Sequence, residues 1–318
     1  MKTIEVNNLL VSYDGIPIVR NVDISVEKGS FLGIVGESGC GKTTLIRSLM
    51  MLKKKNSDIS GKINFCGREL TELSVNQLRE LRGNEIAMVP QNAFLAMDPT
   101  KTIASLFFET MRVHDRSADR KSCMAKASEL MSKLMLNDPE RILKSYPFEL
   151  SGGMCQRVSI AVAMINSPKL FLGDEPTSAL DVTSQIEVIN QLKYLKNNFN
   201  VSAVIISHNM GVISLLSDYI AVMYGGEIVE YGKAGEILAF PTHQYTKALM
   251  EAMPDMNGNI SKGLQGRPPV FEKNMTGCSF ADRCPTAVKE CFKNEPQDVY
   301  VSNTHKVKCM RLSSGGII

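Results

Sequence analysis

The sequence predicts an α/β protein in which short buried strands alternate with helices, and two observations support this prediction. The first is an apolar run rich in branched residues, Phe31–Val35, which leads into a glycine-rich turn and then into the helical pattern of residues 45–52. The second is that the apolar runs 170–174 and 201–206 also have the pattern of buried strands, with a helical pattern at 182–198 between them. This alternating order favours an α/β core.

Length and composition are those of a folded, soluble protein. The 318 residues are 44% hydrophobic and 22% charged, enough for one large domain with an appendage or for two domains. A net charge of +3 is too close to neutral to indicate a nucleic acid partner, and none is predicted. The N-terminus lacks the apolar segment of a signal peptide, and no stretch approaches the roughly 18 apolar residues that span a bilayer. We therefore expect a cytoplasmic protein unless a partner tethers it.

The glycine-rich turn matches the phosphate-binding pattern GxxxxGK[ST] in the required strand–turn–helix setting, which disfavours a chance match. Its glycines let successive backbone N–H groups face an anion, and the following helix dipole adds to the attraction. Lys42 is predicted to reach the β- and γ-phosphates of a nucleotide, and the Thr43 hydroxyl to hold Mg²⁺. The predicted nucleotide-binding residues of this loop are Gly36, Glu37, Ser38, Gly39, Cys40, Gly41, Lys42, Thr43 and Thr44.

Strands are predicted before the loop at 4–13 and 17–26, and after it at 60–67. Tyr13 ends the first of these strands, about twenty residues upstream of the loop, and is a candidate for stacking on an adenine ring. The alternative is a tyrosine that only packs against its neighbours on an edge strand.

Two carboxylates follow the apolar strand 170–174, and their position favours catalytic work over simple helix capping. Asp174 suits a Mg²⁺ role opposite Thr43. Glu175 is predicted to be the general base for the water that attacks the γ-phosphate.

Two further polar residues stand just beyond predicted strands. Gln91 follows the strand 85–90, and its amide is a candidate either to coordinate Mg²⁺ or to orient the attacking water. A single Gln in a loop usually has no catalytic role, so the prediction for Gln91 rests only on its position after a strand. His208 follows the strand 201–206 and is predicted to contact the γ-phosphate.

A helical stretch interrupts the strands between residues 102 and 146, and a second possible anion site follows it. Ser151 is a good helix N-cap, and the two glycines after it leave backbone N–H groups open to an anion. A second such site makes sense if it faces a nucleotide held by another subunit. Residues 178–181 then begin the next helix.

Taken in order, these segments resemble the ATP-binding-cassette (ABC) ATPases. The resemblance implies a P-loop NTPase (RecA-like) core with an antiparallel β subdomain and an α-helical insertion, which hydrolyses ATP with Mg²⁺. Tyr13 corresponds to the family's adenine-stacking aromatic, 36–43 to Walker A and Gln91 to the Q-loop. Residues 150–156 correspond to the signature and 170–175 to Walker B. Ser178 to Asp181 correspond to the D-loop, and His208 to the switch histidine.

Several stretches narrow the resemblance to the ATPases of oligopeptide, dipeptide and nickel importers. They are residues 82–91, 146–154, 229–232 with 241–246, and the tail from 277, and the first two resemble the first of the two paralogous ATPases of such importers. The resemblance implies a peripheral subunit on the cytoplasmic face of the membrane. Its implied partners are a paralogous ATPase in a heterodimer, two transmembrane permease subunits and an extracytoplasmic solute-binding protein. The residues implied to contact ATP held by the partner ATPase are Ser151, Gly152, Gly153 and Gln156.

The implied domains are an ABC nucleotide-binding domain at 1–254 with a helical insertion at about 92–157, a linker at 255–269 and a Cys-rich extension at 270–318. The alternatives are an importer of another small solute, a non-transport ABC ATPase of the DNA-repair or translation type, and a P-loop kinase or GTPase. The signature and the switch histidine argue against the kinase or GTPase. Four residues depart from the family's usual choices: Cys40, Cys155, Gly173 and Asn209.

Four of the eight cysteines crowd the extension, at Cys278, Cys284, Cys291 and Cys309. Four thiolates within a short segment are enough for a tetrahedral Zn²⁺ or a [4Fe–4S] cluster. The resemblance favours iron–sulfur, zinc is the second choice, and buried thiols without a metal are the third.

Overall fold

The computed structural model describes residues 1–253 and 264–313. The chain divides into two compact units. Unit I contains Met1 and the segments Val26–Phe31 and Glu72–Ile205, and unit II contains Lys2–Ser25, Leu32–Thr71 and the described residues from Ile206 onward. The domain boundaries given above remain a prediction, and residues 255–263 of the predicted linker lie outside the described residues.

The predicted strands and helices are present and differ from expectation mainly at their ends. Among the described residues, no helix is both long and apolar enough to cross a bilayer. The strands are β1 Lys2–Tyr13, β2 Ile16–Glu27, β3 Phe31–Val35, β4 Ser57–Phe65, β5 Arg68–Glu69, β6 Ile86–Val89, β7 Leu170–Asp174, β8 Ser202–Ser207, β9 Tyr219–Tyr224, β10 Glu227–Lys233, β11 Asp298–Tyr300 and β12 Lys306–Lys308. The helices are α1 Lys42–Ser48, α2 Val75–Leu81, α3 Ala93–Ala96, α4 Ile103–Arg112, α5 Arg120–Lys133, α6 Pro139–Lys144, α7 Gly152–Met164, α8 Val182–Asn198, α9 Met210–Leu216, α10 Ala234–Ala239, α11 Gln244–Glu251 and α12 Met310–Ser313, with 3₁₀ turns at Leu70–Glu72, Pro147–Glu149, Ala281–Arg283 and Lys289–Phe292.

Unit II contains an antiparallel sheet in the order β2-β1-β4-β5. Strand β1 pairs with β4 in a register that sets Val6 opposite Ile63, and both side chains are buried. Ile4 and Val6 before a bulge in β1, and Leu9 and Val11 after it, are buried, so one face of the sheet packs on a core. The sheet is the antiparallel β subdomain that the resemblance implies.

Unit II also contains strands of a mixed sheet, in the order β11-β12-β10-β9-β3, and the phosphate loop follows β3. Strands β3 and β9 are parallel, with Ile34 opposite Ala221, and both side chains are fully buried. Strands β9 and β10 form a hairpin, and its turn uses two glycines at positive φ, Gly225 and Gly226. The extension adds β12 to the free edge of β10, so the Cys-rich tail is built into this sheet.

Unit I contains strands β6 and β7 and residues 202–205 of β8, in the order β8-β7-β6, and the predicted residue Asp174 ends β7. Strands β6 and β7 pair with Ala87 opposite Phe171, and both are buried, as expected for a sheet covered on two faces. Helices α3 to α7 follow β6 without an intervening strand. These helices are the α-helical insertion that the resemblance implies.

Candidate active site

Glycine is required at three positions of the phosphate loop, as predicted. A side chain at Gly36 would place its Cβ 2.1 Å from the backbone oxygen of Met223. Gly39 and Gly41 have φ values of +82° and +105°, which L residues rarely adopt. Gly41 is also the N-cap of α1, and because it has no side chain it makes no capping hydrogen bond to the first N–H groups of this helix.

Lys42 is the first residue of α1, and its side chain is buried within the phosphate loop. Its Nζ donates hydrogen bonds to the backbone oxygens of Gly36 and Glu37, each at 2.8 Å. The Cys40 sulfur lies 3.9 Å from the same Nζ, and burial raises the pKa of the Cys40 thiol even though Lys42 lowers it. The thiol is therefore neutral, and Cys40 acts in the loop through its backbone, as expected from the sequence.

The predicted adenine-stacking and switch residues of unit II have contacts of their own. The Tyr13 hydroxyl donates to Thr44 Oγ1 at 3.4 Å, and the Lys54 ammonium lies 5.3 Å from the centre of the Tyr13 ring. His208 is exposed one residue beyond β8. Asn209 caps α9, because its Oδ1 accepts from the N–H groups of residues 211 and 212. Asn209 therefore replaces the family's usual acidic residue with an equivalent helix cap. Stacking by Tyr13 and phosphate contact by His208 remain predictions.

In unit I, the end of β7 brings two predicted residues together. Asp174 is buried at the end of the strand, and Glu175 has a φ of +48°, a strained value for a residue with a side chain. Gln91 Nε2 donates to Glu175 Oε2 at 3.2 Å. The Ser178 hydroxyl donates to the Glu175 backbone oxygen at 2.9 Å. The predicted base is thus held at its side chain by the predicted Q-loop residue and at its backbone by the D-loop.

The start of α7 is exposed and capped by its own serine. Ser151 Oγ accepts from the Met154 N–H at 3.2 Å. A Cβ at Gly153 would lie 2.4 Å from Ser184 Oγ. Asp181 holds Ser184 in place, because its two oxygens accept from the Ser184 N–H and hydroxyl, and these hydrogen bonds lower the pKa of Asp181. The predicted signature and D-loop residues therefore meet through Ser184, a residue that sequence reasoning missed.

Two signature residues lie beneath this helix start. Ser151 and Gly152 are exposed, whereas Cys155 and Gln156 are buried. The Cys155 thiol donates to the Pro147 backbone oxygen at 3.3 Å, so it secures the preceding turn. Contact of Gln156 with a partner's nucleotide remains a prediction that its burial does not support.

The departure at Gly173 is explained by packing. A Cβ there would lie 3.3 Å from both the Phe171 ring and Pro176 Cγ, so a larger residue would require these neighbours to move.

The cysteines of the extension do not fit a metal site as they are arranged here. The Cys278 N–H donates to the Cys291 backbone oxygen at 2.7 Å, and burial raises the pKa of the Cys278 thiol to about 12. Across the described residues no three His, Cys, Asp or Glu side chains are grouped to hold a metal ion. The predicted iron–sulfur cluster and its zinc alternative therefore gain no support, and no step is assigned to them.

Sequence reasoning also missed the residues that hold the phosphate loop from outside. The Glu37 N–H donates to the Tyr245 hydroxyl at 2.8 Å, and Arg283 pairs with the Glu37 carboxylate. No local pattern marks either residue, because each is more than 200 positions away along the chain.

Comparisons with known proteins match nearly the whole chain. The profile described as "ABC transporter" matches residues 19–178, and the profile "Oligopeptide/dipeptide transporter, C-terminal region" matches residues 229–291. The dipeptide transport ATP-binding protein DppD of Lactococcus lactis is 38% identical over 314 residues, which cover 96% of this chain and 90% of that protein. The oligopeptide transport ATP-binding protein AppD of Bacillus subtilis is 36% identical over 321 residues, which cover 98% of each chain.

Among solved structures, the post-hydrolysis dimer of the ATP-binding cassette MJ0796 with ADP and Pi is 26% identical, with a TM-score of 0.65 over 73% of this chain and 98% of that one. The relatives named here are peptide transport proteins, and they lend no support to the nickel alternative. The fold, the order of the motifs and the relatives agree: the chain belongs to the ABC transporter ATP-binding proteins of the oligopeptide/dipeptide type.

Proposed function

We propose that this protein hydrolyses ATP to power the import of peptides through an ABC transporter. The observation that carries the proposal is the phosphate loop, whose glycine geometry, uncapped helix start and buried Lys42 form a preorganised anion site. The named relatives, which are dipeptide and oligopeptide transport proteins, support peptides as the cargo.

The predicted residues divide phosphate binding, Mg²⁺ binding and proton transfer among them in this proposal. Lys42 and the loop N–H groups bind the β- and γ-phosphates, and Thr43, Asp174 and Gln91 are suited by their oxygens to hold Mg²⁺, which neutralises phosphate charge when bound. Glu175 takes a proton from the attacking water. The Glu175–Gln91 hydrogen bond fixes the direction in which the carboxylate points.

The exposed start of α7 supports a second subunit in the mechanism. Ser151 and Gly152 face solvent with a helix N-terminus behind them, which attracts an anion. We propose that two such ATPases, this chain and a paralogue, pair head to tail, each presenting this helix start to the other's ATP. Their closure and reopening would drive two permease subunits at the cytoplasmic face of the membrane, with a solute-binding protein delivering the peptide outside.

Transport in a reconstituted system tests the proposal. The chain is co-purified with permease and paralogous ATPase subunits of the same transporter and placed in proteoliposomes with the solute-binding protein. Uptake of a radiolabelled dipeptide and phosphate release are then measured. Lys42→Ala should reduce both rates at least about tenfold, because the loop loses its phosphate-binding charge. Lys53→Ala is the matched control, since Lys53 is exposed just beyond α1. Uptake that needs no ATP, or that Lys42→Ala leaves intact, would refute the proposal.

A further inference from the structure

One arginine of the Cys-rich extension, Arg283, contacts Glu37 of the phosphate loop. Arg283 Nη1 and Nη2 donate to the two carboxylate oxygens of Glu37 at 2.7 and 2.9 Å, a two-pronged pair. Nη1 also donates to the Tyr224 hydroxyl at 3.2 Å, and Nε donates to the Gln265 backbone oxygen at 2.9 Å. Only 4% of the Arg283 side chain and 26% of the Glu37 side chain are exposed, so water screens the pair weakly.

Glu37 is the loop residue through which this contact reaches the phosphate site. Its backbone oxygen accepts from Lys42 Nζ, and its N–H donates to the Tyr245 hydroxyl. Its carboxylate points to Arg283, so every polar group of Glu37 described here has a partner. The position of Glu37 therefore fixes one of the two carbonyls on which the Lys42 ammonium rests.

An aromatic cluster of unit II holds Arg283 at the loop. Phe280 lies just before the 3₁₀ turn that carries Arg283. Its ring packs edge-on against Tyr224, with 5.1 Å between the ring centroids, and at a tilt against Tyr245, with 5.5 Å between them. The Tyr224 and Tyr245 rings also touch each other, at 4.6 Å. The extension thus reaches Glu37 through a packed, buried platform, which keeps the guanidinium in one orientation.

Charge explains why the loop needs this arginine. A loop that binds a triphosphate is a poor place for a carboxylate, because like charges a few ångströms apart repel strongly where water is partly excluded. Arg283 neutralises Glu37 and turns the carboxylate outward. Without Arg283, the carboxylate would be free to face the loop and repel the incoming phosphates.

We propose that Arg283 is a positioning residue for ATP binding: it neutralises and orients Glu37, so the extension sets the ATP affinity of the phosphate loop. The inference rests on the proposed function, since it assumes that the loop binds ATP.

The test compares single and double variants of the full-length purified chain, with the Kd for ATP measured by titration calorimetry at 50 and 500 mM NaCl. Arg283→Gln should weaken ATP binding about tenfold at low salt and less at high salt, because salt screens the exposed carboxylate. Arg283→Lys should lie between, since an ammonium keeps the charge and loses the two-pronged geometry. Adding Glu37→Gln to Arg283→Gln should restore most of the lost affinity, because the repelling charge is gone.

The controls separate this effect from damage to the fold. Arg267→Gln removes an exposed arginine that lies just before the extension and should keep the wild-type Kd. Melting curves of all variants show whether they are folded, and the double variant keeps the test decisive if Arg283→Gln is less stable. Wild-type affinity in Arg283→Gln, or equal weakness in the single and double variants, would overturn the inference. Failure of the wild-type chain to bind ATP would instead overturn the proposed function.

Discussion

The protein contains two helix starts suited to anions, and they are built in different ways. At α1 the N-cap is Gly41 in a left-handed conformation, no side chain caps the helix, and Lys42 lies buried in the loop. At α7 the N-cap is Ser151, whose hydroxyl oxygen accepts a hydrogen bond from the Met154 N–H. The first start has no capping side chain and adds a cation, whereas the second has a capping serine and carries no charge in its first turn.

The supports of the two starts differ in the same sense. The loop before α1 is held by the hairpin glycine Gly226, which donates to the Cys40 oxygen, by Tyr245 and by Arg283. The start of α7 is exposed and rests on Ser184 through Gly153. The difference fits our proposal, in which α1 binds a phosphate unaided and α7 completes a site that a second ATPase presents.

The largest expected effect is on ATP turnover. It distinguishes ATP binding at the start of α1 from ATP hydrolysis by the residue that follows β7. Glu175→Gln should lower ATP turnover of the assembled transporter at least about 100-fold, because an amide cannot accept the proton of the attacking water. The Kd of the purified chain for ATP should change less than about threefold, since Glu175 is not in the phosphate loop. Phosphate release and calorimetric titration measure the two quantities.

Glu140→Gln is the control for that variant, because Glu140 is an exposed glutamate on helix α6. Turnover at the wild-type rate in Glu175→Gln would show that another group is the base.

A smaller effect tests how the second helix start is supported. Gly153→Ala places a Cβ 2.4 Å from Ser184 Oγ and 2.7 Å from Ser184 Cβ, so the residue that Asp181 holds must shift. Crowding of this kind costs about 1–3 kcal/mol in the free energy of unfolding. The urea midpoint of the purified chain should fall accordingly, and Ser184→Gly in the same chain should recover part of the loss.

Gly152→Ala provides the matched comparison for stability. A Cβ at Gly152 meets only Leu180 Cδ2, at 4.0 Å, and alanine is the better helix former, so the midpoint should stay or rise. Equal midpoints for the two alanine variants would contradict the proposed packing of Gly153 on Ser184.

Local features of the structure were predictable from the sequence because local chemistry fixes them. Helix α8 begins and ends where expected, since Asp181 provides a cap signal and an apolar period follows. The glycines of the phosphate loop were predictable for the same reason, as backbone geometry selects them.

Contacts between distant segments were not predictable in this way. Arg283 and Glu37 are 246 positions apart, and β12 joins β10 although the sequence suggested a separate tail. Periodicity reports which face of an element is buried and does not report what covers it. The roles that matter most for the comparison above, Ser184 under α7 and Arg283 behind α1, lie in that second class.

The smallest expected effect concerns the acid sensitivity of the support behind α1. His243 caps α11, the helix that carries Tyr245, because its Nδ1 accepts from the Tyr245 N–H at 3.1 Å. Burial lowers the pKa of His243 to about 4, and the nearby Glu230 carboxylate opposes the shift only in part. In the unfolded chain the pKa is about 6.5, so between pH 6.5 and 4 the unfolded state binds the extra proton and the folded state does not.

Stability should therefore be constant with respect to this group above about pH 6.5 and fall as the pH drops toward 4, by at most about 3 kcal/mol. His243→Asn keeps a side-chain oxygen at the cap and removes the titration, so its urea midpoint should depend less on pH in that window than the wild-type midpoint does. Comparing the two chains at pH 7 isolates any cost of the substitution itself. Parallel curves for the two chains from pH 7 to 4.5 would contradict the assignment of this sensitivity to His243, and the phosphate loop's support would then be no more acid-sensitive than the exposed start of α7.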